Sequence, residues 1–96
     1  MPLLWDDDAW KEYLSWLDED KKTLKKINKL IDDIQRNGYD GIGKPEALKE
    51  DLSGLWSRRI DEKNRVVYYI ENGTPHIVSC KGHYENKDQL RKKRQN

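Results

Sequence analysis

Apolar positions follow two rhythms along the chain, a helical one over its first forty residues and a shorter one from residue 55 to residue 80. The run "PLLW" at 2–5 reads as an edge strand, where Pro2 is tolerated because the start of an edge needs no donor. In "DDDAWKEYLSWL" the residues Trp10, Tyr13, Leu14 and Leu17 recur at the spacing of one helix face. Asp6 to Asp8 precede them and supply an N-cap together with negative charge at the positive end of the helix dipole. A second helix is predicted to begin within "DEDKK" and to run to Asn37, with the stripe Leu24, Ile27, Leu30, Ile31 and Ile34 and with Gly38 as its C-cap. So short a link makes the pair an antiparallel hairpin.

After Gly38 the helical rhythm stops. "GYDGIGKPEALKEDLSG" holds four of the six glycines and Pro45, and it reads as a loop with a short strand near 46–51. "LWSRRID", "RVVYYIE" and "HIVSC" then follow, rich in β-branched and aromatic residues and separated by the turn signals "EKN" and "NGTP". They form an antiparallel meander. Helices in one part of the chain and strands in another predict an α+β fold, with an N-terminal strand and a two-helix antiparallel hairpin packed on a mainly antiparallel sheet of four to five strands. Residues 1–84 form the predicted domain. Residues 85–96, "ENKDQLRKKRQN", read as a polar basic tail, either a frayed helix or a mobile segment.

Composition raises the question of disorder, because 39% of residues are charged and only 34% are hydrophobic, against typical values of about 25% and 45–50%. Four Trp and five Tyr answer it by adding large buried areas that the aliphatic residues do not supply. A folded, highly soluble domain is expected. The net charge of +1 conceals an uneven distribution, since the first twenty residues carry seven acids and one base while the remainder is strongly basic. That basic remainder suits a polyanion. The single Cys80 excludes an internal disulfide, and with two His it cannot complete a four-ligand zinc site, so neither a metal nor another cofactor is expected. No apolar run reaches the roughly 18–20 residues of a membrane span, and the start lacks a basic, then apolar, signal peptide. A reducing cytoplasm fits these features.

Should the basic surface meet RNA, the 2′-hydroxyl can serve as nucleophile in cleavage. The step needs a base for its proton, an acid for the departing 5′-oxygen and cations for the charge gathering on phosphorus. Glu46, behind Pro45, is a candidate base; Arg59 and Arg65 are candidate phosphate contacts; His83 is a candidate acid, imidazole having an unperturbed pKa of about 6.5. Arg59 and Arg65 flank the turn "IDEKN", and they face each other only if the loop that closes it has an odd length, which the sequence leaves open. Each residue also has an ordinary reading. Glu46 suits a solvated loop, and His76 a surface strand end. Arg58, Arg59 and Arg65 fit charges that keep an edge strand from aggregating as well as they fit phosphate contacts. Trp5, Trp10, Trp16 and Trp56 suit a core or an interface. Lys21, Lys22, Lys25, Lys26 and Lys29 suit a solvated helix face.

The order of the pieces carries more than any one of them. "GKPEALKEDLSGLWSRRIDEKNRVVYYI" followed by "CKGHY" resembles the YoeB-type toxins of the RelE/ParE superfamily of bacterial toxin-antitoxin systems. "GKPE", "LSG", "WSRRI" and the closing "HY" stand at matched spacing, and the resemblance extends over the whole chain except its tail.

That resemblance implies the compact RelE-like ribonuclease fold and a toxin that enters the A site of the 70S ribosome and cuts the bound mRNA. It implies Glu46 as general base, His83 as general acid, Arg65 as stabiliser of the phosphorane-like transition state, Arg59 and Lys49 as helpers at the phosphates, and Tyr84 as the residue that orients or stacks on the nucleotide. Lys22, Lys25, Lys26 and Lys29 would then contact ribosomal RNA. The implied partners are a YefM-like antitoxin, a second copy of the chain, and operator DNA only through the antitoxin, with no membrane. A different class remains open beside it, a non-enzymatic toxin of the same fold that is directed at gyrase or occupies the ribosome as an RNA binder. Two departures from the pattern stand out: the chain continues for twelve residues past Tyr84, and Gly82 replaces a bulkier residue, which is expected to loosen His83.

Overall fold

The computed structural model describes residues 2–83. Its elements are β1 (Leu4–Trp5), α1 (Asp7–Glu19), α2 (Lys21–Asn37), β2 (Glu46–Ala47), a 3₁₀ turn (Glu50–Leu52), β3 (Trp56–Arg59), β4 (Arg65–Glu71) and β5 (Thr74–Ser79). The strands form one five-stranded sheet in the order β1-β5-β4-β3-β2. All pairings are antiparallel except β1 with β5. This is the predicted α+β architecture, with the N-terminal strand at one edge and the Glu46 strand at the other.

Asp20 alone separates the helices, and it serves both. Its backbone N–H closes α1 on the carbonyl of Trp16, while its carboxylate accepts from the N–H groups of Lys22 and Thr23 at the start of α2. A bond from the Thr23 hydroxyl, joined by those from the Thr23 and Lys22 N–H groups, holds the Asp20 carboxyl below its ordinary range. At the start of α1, Asp6 takes the N-cap position without a side-chain bond, so the acids there act through the helix dipole. Gly38, at φ 68°, ends α2 as predicted.

Alternation along β3 and β4 separates two cores. Val66 and Tyr68 join Ile27, Leu30, Ile34 and Ile77 beneath the helices, and each fully buried aliphatic side chain contributes about 1.5–3 kcal/mol. Val67 faces the other way, into a second cluster with Leu48, Leu52, Leu55 and Val78. Most of the segment predicted as a loop therefore has a structural task. It leaves β2 after only two residues and folds the 3₁₀ turn over the far face of the sheet.

Arg58 departs from both readings made of it. The strands β3 and β4 lie inside the sheet, and Arg58 is fully buried on the helix side. Its guanidinium pairs with Asp33 and donates to the carbonyls of Gly38, Asp40 and Ile42 and to the Tyr68 hydroxyl. A buried cation is tolerable only when its donors are met in this way. The hydrogen bond from Arg58 is the main reason the Asp33 carboxyl sits below its ordinary range, whereas burial pushes the Tyr68 phenol upward. The result is a loop from residue 38 to residue 43 pinned to α2 and β3 at once.

Candidate active site

Register places the candidate residues on one face. Glu46 is opposite Ser57 in the β2–β3 pair, Ser57 is opposite Val67 in the β3–β4 pair, and Arg59 is opposite Arg65. Partners directly opposite share a face. The question left by the "IDEKN" turn is thereby answered: the five residues 60–64 form a loop of odd length, and the two arginines face each other. Two cations so placed repel unless an anion sits between them. Arg65 is held in place, buried, by bonds from its guanidinium to the backbone carbonyls of Asp61 and Asn64. Arg59 remains exposed.

His83 reaches this face because the chain after β5 is gripped from two sides. On one side, Glu12 of α1 accepts from the Ser79 hydroxyl at 3.0 Å and the Cys80 N–H at 2.8 Å, and the Trp16 indole donates to the Cys80 carbonyl. Lys81 spans the outside of α1, bonding Ser15 and Glu19 with its ammonium 4.7 Å from the Trp16 ring. On the other side, Gly82 is bonded through both its backbone groups: its N–H to the Asn64 side chain at 2.7 Å and its carbonyl to the Arg65 N–H at 3.1 Å. Gly82 has φ 81°, a conformation L side chains rarely adopt. The glycine thus permits a tight clasp.

A cleft of about 180 Å³ is lined by Lys44, Glu46, Ser57, Arg59, Arg65 and His83. That volume is below the roughly 300–1,000 Å³ of pockets that enclose a whole small ligand. The cleft combines a carboxylate, an imidazole and three cations. Such a set can take a proton, give a proton and stabilise negative charge around one reacting group.

A larger cavity of about 590 Å³ adjoins it, sharing Lys44 and Arg59 and rimmed by Lys22, Lys25, Lys26 and Lys29 over Leu30 and Ile42. The helix lysines therefore stand beside the cleft and continue its positive charge. Lys49 precedes the 3₁₀ turn and is not part of the cleft lining. Tyr84 and the tail lie outside the described residues. Sequence reasoning passed over Lys44 and Ser57. The first stood inside the quoted "GKPE", and the second is two residues before Arg59 and so on its face. Among the described residues, no group of three or more His, Cys, Asp or Glu could hold a metal ion.

Two helices on one face of a five-stranded, mainly antiparallel sheet make this the RelE-like fold of its structural neighbours, the YoeB toxins. The family model described as "YoeB-like toxin of bacterial type II toxin-antitoxin system" matches residues 5–84, and the chain belongs to that family. Toxin YoeB of Escherichia coli K12 is 48% identical over 84 residues, covering 88% of this chain and all of that one. Among solved structures, the heterotetrameric YoeB-YefM toxin-antitoxin complex from Staphylococcus aureus is similar with a TM-score of 0.81 at 44% identity. The YoeB dimer from the same organism is similar with a TM-score of 0.80 at 44% identity. Both alignments cover 88% of this chain and 98% of that one.

Proposed function

We propose that the protein is an mRNA interferase, an endoribonuclease that cleaves messenger in the ribosomal A site and so inhibits translation. The observation that carries this reading is the meeting of Glu46, Arg65 and His83 in one cleft with Arg59 and Lys44. Glu46 removes the proton of the 2′-hydroxyl, whose oxygen then attacks the adjacent phosphorus. The bond from phosphorus to the 5′-oxygen breaks as His83 supplies that oxygen with a proton. The products are a 2′,3′-cyclic phosphate, or a 3′-phosphate after its hydrolysis, and a free 5′-hydroxyl. Arg65, fixed by backbone carbonyls, meets the extra charge of the phosphorane-like transition state, and Arg59 and Lys44 join it from the cleft wall. Tyr84 orients or stacks on the nucleotide, and Lys49 assists at a flanking phosphate.

The ribosome enters through charge. Lys22, Lys25, Lys26 and Lys29 line the cavity beside the cleft, where phosphate contacts supply affinity without sequence preference. The same lysines suit a protein that only occupies the ribosome, which is the reading an absence of cutting would favour. A YefM-like antitoxin is the expected inhibitor, and operator DNA is met only through it. A second copy of the chain is the expected partner of the exposed Leu4, Trp10, Leu14 and Leu17. The place of action is the cytoplasm, and no helix among the described residues is long and apolar enough to cross a membrane. The test is single-turnover cleavage of end-labelled mRNA on programmed ribosomes, with product ends identified. A 5′-hydroxyl fragment supports the mechanism; a 5′-phosphate fragment contradicts it.

A further inference from the structure

The turn between β3 and β4 holds a side chain that no step above uses. Asp61 accepts from the N–H groups of Lys63 and Asn64, at 2.8 and 2.7 Å, and so closes the turn. The Asn64 amide nitrogen donates to both carboxylate oxygens of Asp61, each at 3.1 Å. The amide has one orientation open to it, because reversing it would set its oxygen against a carboxylate and its NH₂ against an N–H. Its oxygen is thereby turned outward to accept the Gly82 N–H, one residue before His83. Burial of Asp61 disfavours its charge, yet the bonds from the Asn64 side chain and from the Asn64 and Lys63 N–H groups outweigh this and hold its carboxyl below the ordinary range.

The same turn also fixes the other side of the cleft. The Arg65 guanidinium rests on the carbonyls of Asp61 and Asn64, and the Arg65 N–H donates to the Gly82 carbonyl. We infer that Asn64 is a positioning residue, which through Gly82 sets the imidazole of His83 relative to the guanidinium of Arg65. The Asp61–Asn64 pair is a single brace with two outputs. This inference rests on the endoribonuclease reading for its catalytic consequence and on the hydrogen bonds alone for its structural one.

Four variants test it: Asn64→Ala, Asn64→Asp, Asp61→Asn and the double exchange Asp61→Asn with Asn64→Asp. Asn64→Ala removes the acceptor for Gly82. Asn64→Asp keeps an acceptor but sets two carboxylates together. The exchange restores the brace, because Asn at 61 keeps an oxygen for the turn N–H groups and gains an NH₂ to donate to Asp at 64. Two readouts are taken, hydrogen exchange of the Gly82 amide and single-turnover cleavage on ribosomes.

Asn64→Ala is expected to lose Gly82 protection and to lower kcat about 10- to 100-fold with little change in KM, the size of effect expected when a catalytic group is displaced by about 1 Å. Each carboxylate-altering single variant is expected to lower kcat in part, and the exchange to recover most of it. Gly82 protection unchanged in Asn64→Ala, or protection lost with kcat intact, would overturn the inference. A wild type that cuts nothing defeats the enzyme reading separately. The His83 imidazole resonances, recorded with an oligoribonucleotide carrying 2′-deoxyribose at the scissile position, then decide. A shift caused by Asn64→Ala supports the brace, and identical spectra overturn it.

Discussion

Single atoms at the cleft decide between chemistry and mere binding. Glu46→Ala and His83→Ala are each expected to lower the cleavage rate about 10²- to 10⁴-fold while ribosome affinity is retained, the usual size of a lost general base or acid. Arg65→Ala should reduce kcat more than it raises KM, because the charge that Arg65 meets is largest in the transition state. Single-turnover rates at saturating ribosomes, set beside binding titrations, separate the two effects. At this scale the sequence was informative about residue type and silent about placement. Glu46, Arg65 and His83 were legible as a carboxylate, a cation and an imidazole of the types such chemistry needs. Their convergence was not, because it depends on the β3–β4 register and on bonds that hold Cys80 to Glu12 and Gly82 to Asn64 and Arg65, all far away in the chain.

At the scale of elements, Arg58 and Asp33 tie α2, β3 and the loop at 38–43 into one body. Arg58→Ala removes the cation that pairs with a half-buried carboxylate and the donors it gives to three loop carbonyls, and it should destabilise the fold by about 3–5 kcal/mol in denaturant unfolding. The pair also makes a prediction about acid. Because the Asp33 carboxyl is lowered in the folded protein, its contribution is fully present above the unfolded value of about 3.9 and is lost as pH falls through the folded value. Asp33→Asn should therefore be less stable at neutral pH but lose less stability on acidification below about pH 4. Some acid dependence persists in it from Asp20 and Asp61, whose carboxyls are lowered too.

The second helix was readable because its stripe and its Gly38 cap are local signals and stand where the spacing put them. In α1, by contrast, the predicted stripe leaves Trp10, Leu14 and Leu17 exposed, and it is Ala9 and Trp16 that are buried. The inward turn of Arg58 was not readable. Strand alternation sets Arg58 and Arg59 on opposite faces, but only tertiary partners say which face is dry.

Across the whole molecule, charge and apolar surface occupy different places. The lysine-rimmed cavity continues the positive cleft, whereas Leu4, Trp10, Leu14 and Leu17 are exposed on β1 and α1. Neutralising Lys22, Lys25, Lys26 and Lys29 together should weaken ribosome binding at low salt and flatten its salt dependence, the slope falling by roughly 0.7–0.9 for every phosphate that is no longer neutralised. Deleting residues 86–96 should act in the same direction, since that tail is strongly basic. Filter binding across a salt series measures both, and an unchanged slope would contradict them. The excess of basic charge beyond residue 20 was apparent from the sequence. Its gathering beside the cleft required the fold, because Lys44 and Arg59 arrive there from a loop and a strand while the other lysines arrive from a helix.

Acid-base cleavage of RNA in this cleft is the step on which the proposed activity stands or falls. Its most direct test is single-turnover cutting of end-labelled mRNA on programmed ribosomes by the wild type and by His83→Ala, with ribosome-free RNA alongside. Fast A-site cutting by the wild type, lost in His83→Ala although the variant still binds, is the predicted result. Binding and translation arrest without any cut, or equal cutting by both proteins, would contradict it.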